Sequence, residues 1–143
     1  MNITISSVTG NETRDFEIAE WTSVDEEHWG GEIDWDVEDF YFKAWGDDNN
    51  ILGTIKGKFE AGVVFVDQLV VGEKSRGLGI GTKLMKYIEE WGKKKGAHKI
   101  FLFTQEKWKA SDFYKKLGYK NTGVLENHYL HGDFIIYSKF VTL

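Results

Sequence analysis

The sequence predicts an α/β fold on a mixed, mostly antiparallel sheet, and three observations carry that prediction. Runs rich in β-branched and aromatic residues at 40–45, 51–60 and 63–71 are separated only by short polar turns, the pattern of consecutive antiparallel strands. A long amphipathic stretch then leads to another short apolar run at 99–104, which makes a parallel pair with 63–71 through a crossover helix. The chain closes on two further runs, 119–130 and 134–141, folded back around His131, Gly132 and Asp133 as a hairpin.

Taken in order, residues 1–8 alternate, with Ile3, Ile5 and Val8 on one side, and predict a first strand. Thr9 to Glu12 reads as a turn. Residues 13–21 fit two states: Phe16 and Ile18 suit a strand, whereas Phe16, Ala19 and Glu20 suit a helix. Ser23 with Glu26 three residues later predicts a capping box that opens a helix, and Gly30-Gly31 ends it. The three strands follow, with turns at 46–50 and 61–62. In the long helix, Ile80, Leu84, Ile88 and Trp91 form one apolar stripe, while Lys83, Lys86, Glu89, Glu90 and Lys93 lie off it. Gly96 is its stop signal, and Lys93, Lys94 and Lys95 suit the carbonyl end of the helix dipole. A second helix over 109–117 turns Ala110, Phe113, Tyr114 and Leu117 to one side and stops at Gly118. The early tryptophans, Trp21, Trp29, Trp35 and Trp45, are expected mostly in the core, as are Trp91 and Trp108. No repeat, linker or low-complexity segment interrupts the 143 residues, so residues 1–143 are expected to form a single domain.

Composition narrows the chemistry. The chain has no cysteine, which excludes disulfides, thiolate metal ligation and a cysteine nucleophile. No apolar run approaches the roughly 18 residues of a membrane span, and the first ten residues lack a signal-peptide pattern, so a cytoplasmic location is expected. Charge is divided unevenly. Residues 1–60 hold 15 acidic and 4 basic residues, whereas 61–143 hold 8 acidic and 14 basic. The acidic half suits a cationic partner and the basic half an anionic one, unless both are simply solvated faces. A net charge of −5, without basic residues interleaved with aromatics, argues against nucleic acid.

The basic half contains a glycine-rich stretch at a helix start. After the 63–71 strand comes Arg76-Gly77-Leu78-Gly79-Ile80-Gly81, opening directly into the long helix. A helix start leaves about four backbone N–H groups unpaired and carries roughly half a positive charge, and glycines there let an anion approach the backbone. The spacing is not a Walker loop, because Gly81 is followed by Thr82-Lys83 in the wrong order. It is not a dinucleotide fingerprint either, because position 82 is Thr.

Arg76, Gly79 and Gly81 meet the pattern Arg/Gln-x-x-Gly-x-Gly/Ala. Together with residues 66–71 this stretch resembles motif A of the GNAT superfamily, the acyl-CoA-dependent N-acyltransferases. Residues 110–119, ASDFYKKLGY, resemble that family's A-x-x-(F/L)-Y-x-K-x-G-(F/Y) segment. The two matches stand in the family's order with a strand between them and cover roughly residues 63–119. The resemblance implies a GNAT-like sheet with helices on both faces and the element order β-(α)-β-β-β-α-β-α-β-β. It further implies acetyl transfer from acetyl-CoA, without a metal, to a primary amine by direct attack. A non-catalytic acyl-CoA-binding module of the same fold stays open beside this. Leu69, Val70 and Val71 are implied to hold the pantetheine arm and polarise the thioester through their backbone. Arg76, Gly77, Leu78, Gly79, Ile80, Gly81 and Thr82 are implied to hold the pyrophosphate. Where the family commonly has an Asn three residues before the Ala, this chain has Lys107, which meets either a cofactor phosphate or solvent.

Two residues are expected to carry the chemistry. Expelling a thiolate needs a proton donor, and the resemblance assigns that role to Tyr114, whose alternative is a core tyrosine. An amine attacks only when neutral, and Asp67 is the expected acceptor of its proton. Asp67 stands four residues before Val71, which puts both on one strand face; its alternative is a structural hydrogen bond. His128 and His131 are rivals, or plain surface residues. A second acceptor element is an acidic pocket of Asp34, Asp36, Glu38 and Asp39 walled by Trp29 or Trp35. The expected partners are acetyl-CoA and a cationic amine substrate, with a homodimer left open and neither nucleic acid nor membrane involved.

Overall fold

The computed structural model describes residues 1–141. It divides into two compact units, Met1–Trp35 and the chain from Asp36 onward.

In the first unit, residues 1–8 form no strand. Ile3, Ile5 and Val8 are exposed, so their alternation serves no buried face, and a strand without a paired neighbour does not persist. The turn at 9–12 is present: the Glu12 N–H donates to the Thr9 carbonyl at 3.1 Å, and the Glu12 carboxylate accepts from the Thr9 N–H at 2.8 Å. Helix α1 then runs unbroken over Arg14–Trp29, resolving residues 13–21 as helix. Ser23 lies inside it and caps nothing. The helix opens instead at Thr13, whose carbonyl accepts from the Glu17 N–H at 2.9 Å, with Asp15 and Glu17 in the favourable first turn. Gly30 ends it as expected, at φ 77° with its N–H on the Glu26 carbonyl. The Trp35 indole N–H donates to the buried Asp25 carboxylate at 2.8 Å.

The second unit holds the sheet. Strands β1 (Glu38–Trp45), β2 (Ile51–Glu60), β3 (Val63–Val71), β4 (Lys99–Gln105), β5 (Lys120–Leu125) and β6 (Phe134–Phe140) are ordered β1-β2-β3-β4-β6-β5. Among the described residues only β3 and β4 are parallel, joined through helix α2 (Ile80–Lys94); helix α3 (Ala110–Lys116) links β4 to β5. This is the expected mixed, mostly antiparallel α/β sheet with flanking helices.

Helix α2 lays Ile80, Leu84, Met85 and Ile88 on the core residues Ile55, Val64, Val66 and Ile100. Trp91 fills the gap over β1 and β2, 5.2 Å from the Phe40 ring and 5.8 Å from that of Phe42. Five of the six tryptophans are exposed, from Trp35 at 45% to Trp29 at 66%, and Trp91 is only half-buried, contrary to the core assignment. The core over the sheet is filled by aliphatic side chains from α2 and by tyrosines from α3 and β6, which leaves no need for indoles. Glu89 also departs from expectation, because it is buried. Its Oε1 accepts from the Tyr119 hydroxyl at 3.0 Å and from Lys139 Nζ at 3.0 Å, and Lys139 also donates to the Leu117 carbonyl. A buried charge is tolerated where it is paired and hydrogen-bonded in this way.

The β2–β3 ladder contains a bulge. Lys56 pairs with Gln68 and Gly57 with Val66, which leaves Asp67 as the extra residue. The alternation shifts by one across it: Val64 and Val66 are buried before it, and Leu69 and Val71 pack on the core after it. Gly57 makes room for the bulged strand. A Cβ there would collide with the Phe65 carbonyl oxygen and fall 2.7 Å from the Phe40 ring. Gly57→Ala is therefore expected to cost about 2–3 kcal/mol through overpacking. A urea-unfolding midpoint equal to wild type would show that the bulge does not depend on this glycine.

Candidate active site

The turn from β3 into α2 is built for backbone exposure. The Gly72 N–H ties to the Leu52 carbonyl at 2.8 Å, a single 3-10 turn covers Glu73–Ser75, and Arg76 is extended and exposed. Gly77 and Gly79 both adopt left-handed backbone, at φ 81° and 77°, with open space where a Cβ would be. Their glycine requirement is therefore conformational. Gly81 differs: its Cβ position lies 3.2 Å from the Phe113 ring, so it permits α3 to approach the first turn of α2. Gly79 is the N-cap residue of α2 and offers no side-chain cap, so the N–H groups of Ile80, Gly81 and Thr82 are left without intrahelical acceptors. Leu78 is 65% exposed at the rim of this turn, and Ile80 is buried beneath it.

Beside this turn the sheet opens. β3 pairs with β4 only at Val63–Lys99, Val64–Ile100 and Phe65–Phe101, although β3 continues to Val71 and β4 to Gln105. Leu69, Val70 and Val71 stay paired with β2, opposite Ile55, Thr54 and Gly53, while the β4-side edge of this segment has no strand on it. Tyr114 sits on α3 in the core, beside Tyr137, the β6 partner of Leu102 in the middle of β4. Its ring is buried against Phe113 (5.0 Å), Tyr119 (6.0 Å) and Tyr137 (6.3 Å). Among the described residues its hydroxyl has no hydrogen-bond partner, yet no buried side-chain polar atom is left unsatisfied, so the hydroxyl tip reaches solvent. Burial of the ring pushes its pKa up to about 12. Tyr119 is pushed higher still, by burial first and then by the neighbouring Glu89 carboxylate. Lys107 lies exposed in the turn between β4 and α3.

Asp67 does not share a face with Val71. The bulge at Asp67 reverses the alternation, so Val71 turns to the core while Asp67 is exposed. Asp67 lines a depression of about 470 Å³ with Asp39, Tyr41, Lys56, Lys58 and Phe65, on the sheet face that α2 leaves open. Of the four acidic residues 34–39 expected in an acceptor pocket, Asp39 is the one in this lining. Trp35 is committed to Asp25, and Trp29 is exposed at the end of α1. His131 holds Asn127 Oδ1 at 2.9 Å, and the His128 ring packs on Tyr129 at 4.2 Å; both belong to the β5–β6 loop.

Lys56 and Lys58 were not singled out from sequence. The signal was present: they alternate with Ile55, Gly57 and Phe59, which places them together on the open face.

Residues 10–119 match the acetyltransferase (GNAT) family. An acetyltransferase of Agrobacterium fabrum is 31% identical over 90 residues, covering 63% of this chain and 65% of that protein. The N-acetyltransferase YobR of Bacillus subtilis, itself uncharacterised, is 35% identical over 65 residues, covering 45% of this chain and 26% of that protein. The chain thus spans about a quarter of one curated relative and just under two thirds of the other. The crystal structure of a Bacillus cereus acetyltransferase superposes with a TM-score of 0.76 at 25% identity, covering 97% of this chain and 98% of that one. With the family match extending over most of the sequence, on a sheet whose two parallel strands part beside a glycine-rich helix start, the chain belongs to the GNAT acetyltransferase family.

Proposed function

We propose that the protein transfers acetyl from acetyl-CoA to a primary amine of a cationic small molecule or polypeptide. The observation that carries this reading is the parting of β3 and β4 beside the uncapped start of α2. The residues fit the donor molecule. Arg76 and the N–H groups following Gly79 suit the pyrophosphate, and the free edge of Leu69, Val70 and Val71 suits the amide groups of the pantetheine arm. Lys107, exposed in the turn after β4, suits a phosphate better than an apolar contact. An amine, cationic at neutral pH, fits the acidic character of residues 1–60 and the carboxylates Asp67 and Asp39.

The chemistry is a direct displacement. The neutral amine nitrogen forms a bond to the thioester carbonyl carbon, and the carbon–sulfur bond breaks. The departing thiolate takes a proton from Tyr114, and the proton lost by the amine passes to Asp67 directly or through water. Tyr114, raised to about 12, stays protonated at every pH at which the amine is attacked, as an acid must. Backbone N–H groups of the splayed β3 segment polarise the carbonyl oxygen.

Three outcomes are expected. Acetyl-CoA at 100-fold over its Kd should stabilise the fold by about 2.7 kcal/mol. Arg76→Glu with Leu78→Glu, at two exposed positions, should abolish the accompanying rise in melting temperature; an unchanged rise removes the helix start from cofactor binding. Tyr114→Phe should lower kcat by roughly 100-fold in a thiol-release assay while leaving CoA affinity nearly unchanged. Wild-type turnover would return Tyr114 to a packing role.

The third outcome concerns alkaline stability. Tyr114 and Tyr119 have folded pKa values above the ordinary 10.0, so their neutral forms favour the fold below about pH 10. That contribution is lost as pH rises from about 10 toward 12, where the unfolded chain ionises its tyrosines first. Urea midpoints measured from pH 8 to 11.5 should fall above pH 10, and less steeply in Tyr114→Phe. Identical slopes in the variant and wild type would remove Tyr114 as a contributor.

A further inference from the structure

We infer that the acceptor is a zwitterionic amino acid with a large apolar side chain, held by Lys56 and Lys58 through its carboxylate; this rests on the acetyl transfer to a primary amine proposed above and replaces the cationic acceptor by a zwitterionic one. The depression beside Asp67 has a volume within the roughly 300–1,000 Å³ of small-molecule sites. Its lining is not simply acidic: two carboxylates, Asp39 and Asp67, face two ammonium groups, Lys56 and Lys58. The ion pairs among the described residues are Lys93–Glu90, Lys95–Glu38 and Lys139–Glu89, so none of these four charges is paired within 4 Å. Lys56 is half-buried, its stem lying along the sheet while its ammonium reaches solvent and stays open to an anion.

The strand register arranges the charges. Lys56 and Lys58 are two residues apart on one face of β2, roughly 7 Å along the strand. Asp39 stands directly opposite Lys58 on β1, and Asp67 bulges from β3 between the partners of Lys56 and Gly57. Every cation therefore has a carboxylate about one strand spacing away without touching it. A ligand with one ammonium and one carboxylate a few ångströms apart fits this alternation, the ammonium toward Asp67 and the carboxylate toward the lysines. A polyamine can set ammonium groups on Asp39 and Asp67 but brings no anion for Lys56 and Lys58 and adds further positive charge beside them. Asp67 also lies two residues past Phe65, where β3 leaves β4, so an amine held there stands at the mouth of the opening.

The remaining wall is aromatic. Phe65 lines the depression, and its ring lies 4.8 Å from Phe101 and 5.6 Å from Phe103. These half-buried rings form one apolar cluster from β3 to β4, and its member Phe65 offers the depression an aromatic wall for the body of the amino acid.

The test compares each amino acid with its decarboxylated amine: L-phenylalanine with 2-phenylethylamine, and L-leucine with isoamylamine. Thiol release from acetyl-CoA is followed, with kcat/KM expressed per neutral amine. The amino acid is expected to be preferred at least tenfold in each pair, with spermidine a poorer acceptor than either. In Lys56→Met with Lys58→Met, whose folding is checked by melting temperature and by the acetyl-CoA shift, that ratio should collapse toward one. Equal rates within each pair, or a preference that survives the double substitution, overturn this inference while leaving acetyl transfer standing. An absence of thiol release with every acceptor overturns the acetyl-transfer reading and this inference with it.

Discussion

The structure depends on the point where two parallel strands stop being neighbours. β3 and β4 share three residue pairs and then separate, although both continue for several residues. Separation has an energetic cost, because each strand gives up ladder hydrogen bonds that a continuous sheet would keep. β3 remains a strand beyond that point because β2 holds its other edge as far as Val71. The bulge at Asp67 begins two residues past the last β3–β4 pair and adds local twist, which turns β3 away from β4. Gly57 permits that bulge by leaving space for the Phe65 carbonyl, and Gly72 anchors the end of the strand to Leu52. One glycine, one extra residue and one unshared edge together create an opening whose exposed polar backbone calls for a ligand.

An opening of this kind needs rigid flanks. The α2 flank is fixed by the packing of Ile80, Leu84, Met85 and Ile88 and by the buried Glu89. Glu89 joins three elements through a single carboxylate oxygen: its own helix, Tyr119 just after α3, and Lys139 on β6. A buried pair of this sort adds little net stability over an apolar equivalent, but breaking it strands a charge, so it fixes which helix turn meets which strand. Gly81 eases the approach of α3 to the first turn of α2, since a Cβ there would stand 3.2 Å from the Phe113 ring. The ring of Tyr114 is thereby held between Phe113, Tyr119 and Tyr137.

How much of this was legible in the sequence depends on the range of the interaction. β2 and β3 fall at their expected limits, and α2 and its glycine stop follow their local patterns, because alternation, helical stripe and turn residues all agree there. The two motifs located the glycine-rich turn and Tyr114 for the same reason. Residues 1–8 had a strand's alternation but needed a partner, which no local pattern supplies. Ser23 and Glu26 imitated a helix start, and only the earlier start at Thr13 made them interior. Asp67 and Val71 were assigned to one face by counting in twos, which a bulge invalidates without any mark in composition. Glu89 looked like a surface residue because its partners, Tyr119 and Lys139, lie 30 and 50 residues away.

The same contrast of range applies to charge. Summed over residues 1–60, the excess of 15 acidic over 4 basic residues describes a field that draws cations toward this part of the chain. Such a field decays over about 8–10 Å at ordinary ionic strength, so it bears on encounter more than on fit. Fit is decided by the few charges within reach of a bound molecule, and there the balance differs. Three of those four basic residues, Lys43, Lys56 and Lys58, lie on β1 and β2, and two of them line the depression with Asp39 and Asp67. Strand alternation gathers them, since every second residue of β2 from Lys56 faces away from α2. The depression is therefore locally neutral and internally polarised, although residues 1–60 as a whole carry an acidic excess.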